Sequence, residues 1–443
     1  MAVGLDEGLS PFQGFFQTRT HPVFHRALSY IRGLFKSEKN RANCTSIADS
    51  LGELDHQSLN HLLSNSPWDY TQVLHEISES TSSLLSGPGE TALLIDEVGF
   101  RKKGRHSACV GRQYLGCLGK QDNGQVAVVG GLSSGNHYCP VDVELFMPKS
   151  WECDYQRRKK AGIPDHIRHR SKTEMALEMI LDLRSRGISF DYVGFDALYG
   201  SSGPLIGELD NAAIPFIGDV RENIGVYLSA PGFAVPSAEK GKRGRKPKLP
   251  KADMSTVTLK EYMANLGADD FTEIAFRDGT KQKIRAFFHQ KEVWLGIDDQ
   301  VGKVLKLQLI IRKDTDGTTK YSFCNMHGDT LEKIVQRQGQ RVFVERIFEE
   351  GKNQIGLGDY QIRSWEGFHK HMTLCFMAFY YIAVQKVKYC ETLPLTAPVI
   401  RKLVASTITS RWENLEDTMD YCLKHLYDYR RQIQRNLKRP PET

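Results

Sequence analysis

The stretch TALLIDEVGF (residues 91–100) decides the reading of the fold, together with its partner DYVGFDALYG (191–200). Each has a short apolar run that ends on acid: TALLI before Asp96 and Glu97, and YVGF before Asp196. Such runs, bounded by turn residues, read as strands buried on both faces. Neighbouring side chains of a strand point to opposite faces, so only one of Asp96 and Glu97 can serve a given site. Asp96 continues the end of the apolar run and is preferred, with Glu97 as the alternate. Asp196 competes with Asp191, five residues earlier and so on the other face of the strand. In open α/β sheets functional groups gather at the carboxyl ends of strands, which favours Asp196.

Working outward, SSLLSGPGE (82–90) is a linker, and residues 1–88 before it are helical. Within them CTSIADSLGELDHQSLNHLLSN (44–65) reads as helix, turn at Gly52 and second helix. Ile47, Ala48 and Leu51 form one apolar face, Leu59, Leu62 and Leu63 the next, and Asp55 caps the second helix. This pattern resembles a helix-turn-helix, whose second helix enters a major groove. After Asp96, SACVGRQYLG (107–116) and QVAVVGGLSS (125–134) read as a hairpin. TEMALEMILDLRSRG (173–187) reads as an amphipathic helix, SGPLIGELDN (202–211) as a helix and AIPFIGDV (213–220) as a strand.

Strand, hairpin, helix, strand, helix, strand describes a three-layer α/β domain. The order resembles the ribonuclease-H-like fold, in which the strands carrying Asp96 and Asp196 lie side by side. Residues 221–327 interrupt it with a basic segment and then KIRAFFHQ, KEVWLGID and KVLKLQLIIRK, which alternate like antiparallel strands. The helical pattern returns at DTLEKIVQRQGQRVFVERIFEEGK (329–352), and GFHKHMTLCFMAFYYIAVQKV (367–387) is a further helix. The expected organisation is a helical DNA-binding region (1–88), a ribonuclease-H-like core in two parts (89–220 and 328–390), a β-rich insertion (221–327) and a helical C-terminal region (391–443).

A third acid, Glu345, joins the two aspartates. At about 100° per residue along a helix, Arg341 and Glu345 differ by about 40°, and Glu345 and Lys352 by about 20° the other way. One stripe would present base, acid, base. An exposed ion pair is the plainer reading of that spacing. The apolar company of Val342, Val344, Ile347 and Phe348 argues instead for a partly buried helix, where a carboxylate needs a metal or a cation. Three carboxylates on separate elements can hold two divalent cations, which in phosphodiester hydrolysis activate water and stabilise the leaving oxygen.

Charge distribution agrees with a polyanionic partner. The net charge is only +6, but KGKRGRKPKLPK (240–251) and QRRKK (156–160) concentrate cations. Trp151, Asp154, Arg157 and Arg158 are candidates to line a DNA path. No apolar run approaches the roughly 20 residues a membrane helix needs, and the opening MAVGLDEGLSPF lacks a signal-peptide pattern. The nine scattered cysteines suit a reducing cytoplasm. LLIDE resembles a Walker-B strand, but no GxxxxGK[ST] precedes it, which excludes a P-loop ATPase.

With these residues placed, the chain resembles a bacterial insertion-sequence transposase of the DDE superfamily, in the group with a β-rich insertion and a Tyr-Arg-Glu-Lys signature. Arg341, Glu345 and Lys352 fit its spacing, while the tyrosine position holds Gln338. IDEVGFRKKG, GRQYLG, ELFMPKSWECDYQRRKKAGIP and GLGDYQIRSWEGFHKH also match the group. The resemblance implies a catalytic, metal-binding triad of Asp96, Asp196 and Glu345, with two Mg²⁺ ions for which Mn²⁺ can substitute. It implies DNA contacts by Arg341 and Lys352 and by the insertion. There Trp294 would stack on a flipped base, and Arg243 and Arg245, flanked by Lys242 and Lys246, would reach a minor groove. The implied activity is cut-and-paste transposition by a homodimer on paired inverted-repeat ends, in a bacterial cytoplasm at the nucleoid. A non-catalytic, transposase-derived DNA-binding protein and a metal nuclease without strand transfer are the alternatives.

Overall fold

The computed structural model describes residues 4–18, 22–52, 55–87, 89–235, 249–279, 283–297, 302–390 and 395–408. The chain divides into two compact units: Leu74–Glu349, built on a sheet, and a helical unit of Met1–Val73 with Glu350–Thr443.

The sheet unit is centred on one ten-stranded sheet. In chain order its strands are β1 (Thr91–Arg101), β2 (Gly111–Leu115), β3 (Lys120–Ser134), β4 (His137–Leu145), β5 (Tyr192–Phe195), β6 (Phe216–Val220), β7 (Thr272–Asp278), β8 (Lys283–Gly296), β9 (Val304–Lys313) and β10 (Thr319–Cys324). They lie in the order β7-β8-β9-β10-β6-β5-β1-β3-β2, with β4 also paired to β3. Only β1–β5 and β5–β6 are parallel. That central trio is the most apolar part. Every residue of β5 is buried, as expected of a strand covered on both faces.

Strands β7–β10, expected in an insertion, continue the same sheet: β10 pairs with β6, Phe323 opposite Gly218. They also share its core. Ala92, Leu94, Tyr192 and Ile217 cluster with Ile274, Phe276, Phe288 and Ile310 and with Ile334, Val335 and Val344 of the covering helices. β4 was not expected from the sequence, because Pro140 sits inside it. The register shift of β3 between Gly130 and Gly131 places Gly131 opposite Pro140, and a bulge is where a sheet tolerates a residue that cannot donate. The Lys172–Ser185 helix opens on a full capping box, Ser171 with Glu174.

In the helical unit, Cys44–Leu51 and His56–Ser64 form the expected pair of helices. Asn43 caps the first, Gly52 ends it with φ 72°, and Asp55 accepts from Gln57 N to cap the second. Ile47, Ala48, Leu51, Leu59, Leu62 and Leu63 are buried, and His56, Gln57, Asn60 and His61 are exposed on the second helix. The Trp365–Tyr389 helix is buried around most of its circumference, including His369, Lys370 and His371. No helix among the described residues is long and apolar enough to cross a membrane.

Candidate active site at the end of the parallel strand pair

The site begins where β1 and β5 stop pairing. Their last paired residues are Ile95 and Phe195, and Asp96 and Asp196 are the next residue on each strand. Asp96 does not end its strand, as the apolar run suggested. β1 continues to Arg101 against β3 alone, opposite Val129 at Asp96. Asp196 Oδ1 accepts from Leu198 N at 2.8 Å and so caps the short turn that carries the chain away. The turn packs tightly on β6: a Cβ on Gly200 would lie 2.1 Å from the Asp219 carbonyl oxygen.

Burial, and then the negative charge of Asp196, push the Asp96 carboxyl up to about 7. Burial and the charge of Glu97 likewise raise Asp196. Tyr199, in the turn after Asp196, is buried in the field of all three acids and is raised well above the usual phenol range. Glu97, the next residue on β1, adds its charge to both aspartates. Its Oε1 takes an ion pair with Lys172 at 3.0 Å. Its Oε2 and the Tyr199 hydroxyl are buried without a well-formed hydrogen bond among the described residues. Asp191 stands at the opposite end of β5, where it accepts from Thr91 N at 2.7 Å and ties the strand starts together.

Glu345 differs from the sequence expectation. The 329–352 pattern is not one helix: Leu331–Gln340 ends at Arg341, a second helix runs Val342–Glu350, and a π-helical turn follows at Gly351–Ile355. Val344 enters the core, but the Glu345 side chain is 59% exposed, so burial does not force a cation upon it. It pairs with Arg341 at 3.3 Å. Lys352 lies in the π turn, within the helical unit, where the α-helical stripe no longer applies.

Arg341 is the hub. Its guanidinium also meets Asp219 at 3.4 Å. Burial pulls its pKa down, but the charges of Asp219, Glu345, Asp96 and Asp196 outweigh that and raise it. Asp219 is itself held by Ser322 Oγ, which donates to it at 2.7 Å, and Gln338 Nε2 meets Ser322 Oγ at 2.5 Å. Gln338 thus anchors a relay through Ser322 and Asp219 to Arg341 and Glu345. The sequence reading missed Asp219 and Ser322. They are 103 positions apart and meet only through the β6–β10 register.

The donor set suits a hard cation: two crowded, partly buried carboxylates with raised pKa ask for positive charge, and every available ligand atom is oxygen. Among the described residues no three His, Cys, Asp or Glu side chains stand close enough to hold one ion. The structure therefore brings Asp96 and Asp196 together and leaves Glu345 on Arg341.

Of the DNA candidates, Trp294 is half-buried in β8 with its backbone bridged to Tyr227. Lys242, Arg243, Arg245 and Lys246 lie outside the described residues. Trp151 is fully buried. Arg157 lies 3.8 Å over its ring, and Arg158 is buried among backbone carbonyls, donating to Ile167 O at 2.8 Å.

The family model for DDE superfamily endonucleases matches residues 14–283. The chain belongs to that superfamily. The match includes Asp96 and Asp196 and stops before Glu345. Over 199 residues the chain is 36% identical to a probable transposase for insertion sequence element IS701 from Microchaete diplosiphon. That stretch is 44% of this chain and about half, 49%, of the relative. Among solved structures, a piggyBac transposase synaptic complex with hairpin DNA aligns over 91% of this chain and 76% of that one, with a TM-score of 0.40 and 10% identity.

Proposed function

We propose that this DDE superfamily member is a DNA transposase that cleaves the ends of its element and joins the freed 3′-hydroxyl to target DNA. The observation that carries this is the parallel β1–β5 pair, which sets Asp96 beside Asp196 inside the family-matched region. In this reading β3, β1, β5 and β6 are a ribonuclease-H-like core, and Asp96, Asp196 and Glu345 are the catalytic acids. Asp96 and Asp196 would hold divalent cations, Mg²⁺ by preference. When bound, these cations supply an activated nucleophile and stabilise the leaving oxygen.

The chain's own residues do the positioning. Lys172 pairs with Glu97 and offsets part of the charge that Glu97 adds at Asp196. Arg341 neutralises the acids and orients Glu345, and Glu345 reaches the aspartates by leaving Arg341. Water attacks phosphorus, the P–O3′ bond breaks, and the strand leaves with a 3′-hydroxyl. That hydroxyl then attacks a target phosphodiester, breaking one P–O bond as it forms another, so no nucleoside triphosphate is needed. Two protomers on two inverted ends match the symmetry of such a substrate. The exposed polar face of His56–Ser64 would read a major groove.

The test uses DNA carrying the sequences that flank the gene, with Mg²⁺. Wild-type protein should nick at the element ends, and Glu345→Gln should bind but not cut. Cutting at the normal rate by Glu345→Gln would overturn the triad. With precleaved ends, failure to join target DNA would reduce the reading to a nuclease.

A further inference from the structure

Five residues past Asp96, β1 runs into a segment whose charge is all of one sign. From Arg101 to Lys120 there are six Lys and Arg residues and no Asp or Glu. Lys103, Arg105 and Arg112 are exposed and have no ion-pair partner among the described residues. Arg112 and Tyr114, two apart on β2, share one exposed face, and Tyr114 is 55% exposed. On the Tyr155–Lys160 helix, whose Arg157 touches the same segment at Arg105, Lys159 and Lys160 are exposed.

A solvated basic loop would need no scaffolding, but this one is held from four sides. Asn123 Nδ2 donates to the carbonyls of Lys102 at 2.6 Å and Gly104 at 3.0 Å. Gln125, buried, donates to Ala108 O at 2.7 Å. Arg157, seated on the Trp151 ring, donates to Arg105 O at 3.0 Å and Val110 O at 3.2 Å, and Trp151 Nε1 donates to Val110 O at 2.8 Å. Cations on the edge strand β2 would also discourage edge-to-edge pairing. That explains Arg112 but not a clamped loop at Lys103 and Arg105. Fixing a loop in advance removes the ordering cost of binding.

We propose that the clamped loop, the exposed face of β2 and the Lys159–Lys160 turn form a preorganised contact for the phosphate backbone of duplex DNA flanking the cleavage point. This deepens the transposase reading and rests on it for the identity of the polyanion. The spacing fits: five strand residues from Asp96 to Arg101 span about 17 Å, which is about five steps of B-DNA at ~3.4 Å each. For a duplex that lies along β1, phosphates about five nucleotides from the one at Asp96 reach this surface. Tyr114 would add a hydroxyl donor to phosphate or sugar, a contact that positions the duplex without reading its sequence.

The test measures full-length protein on a random-sequence duplex across a salt series. The slope of log K against log salt carries about 0.9 for every phosphate that a cation neutralises, so Lys103→Ala/Arg105→Ala/Arg112→Ala should lower it by about 2.7. A slope equal to that of wild type overturns the proposal. Acetylation footprinting of the unmutated protein is the second measurement: the duplex should protect Lys103, Lys159 and Lys160, and equal reactivity with and without DNA overturns the surface. Neither readout requires cleavage. A wild-type protein that binds with the expected slope but never cuts would sink the transposase reading alone, and one that cuts with no protection here would sink the surface alone.

Discussion

The two units bury ionisable groups in opposite ways. In the helical unit Lys370 has no exposed side-chain surface, yet its ammonium is satisfied by the Ser66 carbonyl, by Glu366 at 2.6 Å and by the Trp68 ring. His369 is held neutral by burial, down to about 4, and its Nδ1 is bonded to Trp365 O. In the sheet unit Asp96 and Asp196 face each other beside Glu97, and one arginine is spread over four carboxylates. The contrast separates structure from function: a buried charge with its partners in place holds the fold, and a buried charge left short of a partner awaits a ligand.

The largest expected effect breaks the site while sparing the fold. Asp96→Asn should lower DNA cleavage on the order of 10³-fold or more without lowering the melting temperature, because it removes a repelling carboxylate. A variant that melts well below wild type would mean that Asp96 is a structural group. Lys370→Ala should do the reverse to the helical unit. It deletes buried methylenes and strands the Ser66 carbonyl, a loss of about 2–4 kcal/mol in chemical denaturation. A cost near zero would show that the buried ammonium was not well satisfied.

The same contrast predicts opposite responses to pH. Asp96 has its carboxyl raised, so the folded state binds a proton that the unfolded chain has released. Its contribution is present at low pH and is lost as pH rises from about 4 through about 7. His369 is lowered, so the folded state sheds a proton that the unfolded chain keeps. Its contribution is present above about 6.5 and is lost as pH falls through about 4. At about 1.4 kcal/mol per pH unit of each window, the two terms reach at most about 4 and about 3 kcal/mol. Melting curves of Asp96→Asn and His369→Gln across this window should diverge from wild type in opposite directions, and parallel shifts would refute the comparison.

Much of this was legible. The apolar runs before Asp96 and Asp196, the Gly52 turn and the Asp55 cap are local signals, and local signals survive in a sequence. What escaped depends on register. Pro140 hid β4 because the bulge beside it, where Val141 is left without an opposite residue, exists only once β4 pairs with β3. Asp219 and Ser322 look like unrelated polar residues until β6 and β10 pair. The break at Arg341 is invisible because the apolar spacing runs through it, and the same spacing makes Glu345 look buried although it is Val344 and Ile347 that are. KIRAFFHQ, KEVWLGID and KVLKLQLIIRK are legible as strands, although the first two are one strand, Lys283–Gly296; Thr272–Asp278 and Thr319–Cys324 were not expected, and nothing local says that the four extend the central sheet.

The smallest prediction asks whether the difference belongs to the units or to the partners. Glu90 is a carboxylate of the sheet unit, as Asp96 is, but it takes a fork from Arg337, Nε to Oε2 at 2.7 Å and Nη2 to Oε1 at 2.6 Å, and a further pair from Lys333 at 3.1 Å. The Arg337 hydrogen bond, against some burial, holds its carboxyl down to about 2. A lowered acid contributes stability that is present above its unfolded value of about 4.3 and is lost as pH falls through about 2. Because the Glu90 side chain is 36% exposed, solvent screening limits this to about 1 kcal/mol. Glu90→Gln should therefore flatten the acid limb of the stability curve below pH ~4.5 and leave the neutral limb, where Asp96 acts, with its slope unchanged. An altered neutral slope would mean that the carboxylates of this unit titrate as one system. An unaltered one would place the cause in each acid's own surroundings: Asp96 is deeply buried and shares Arg341 with three other acids, while Glu90 is half-exposed and holds Arg337 and Lys333.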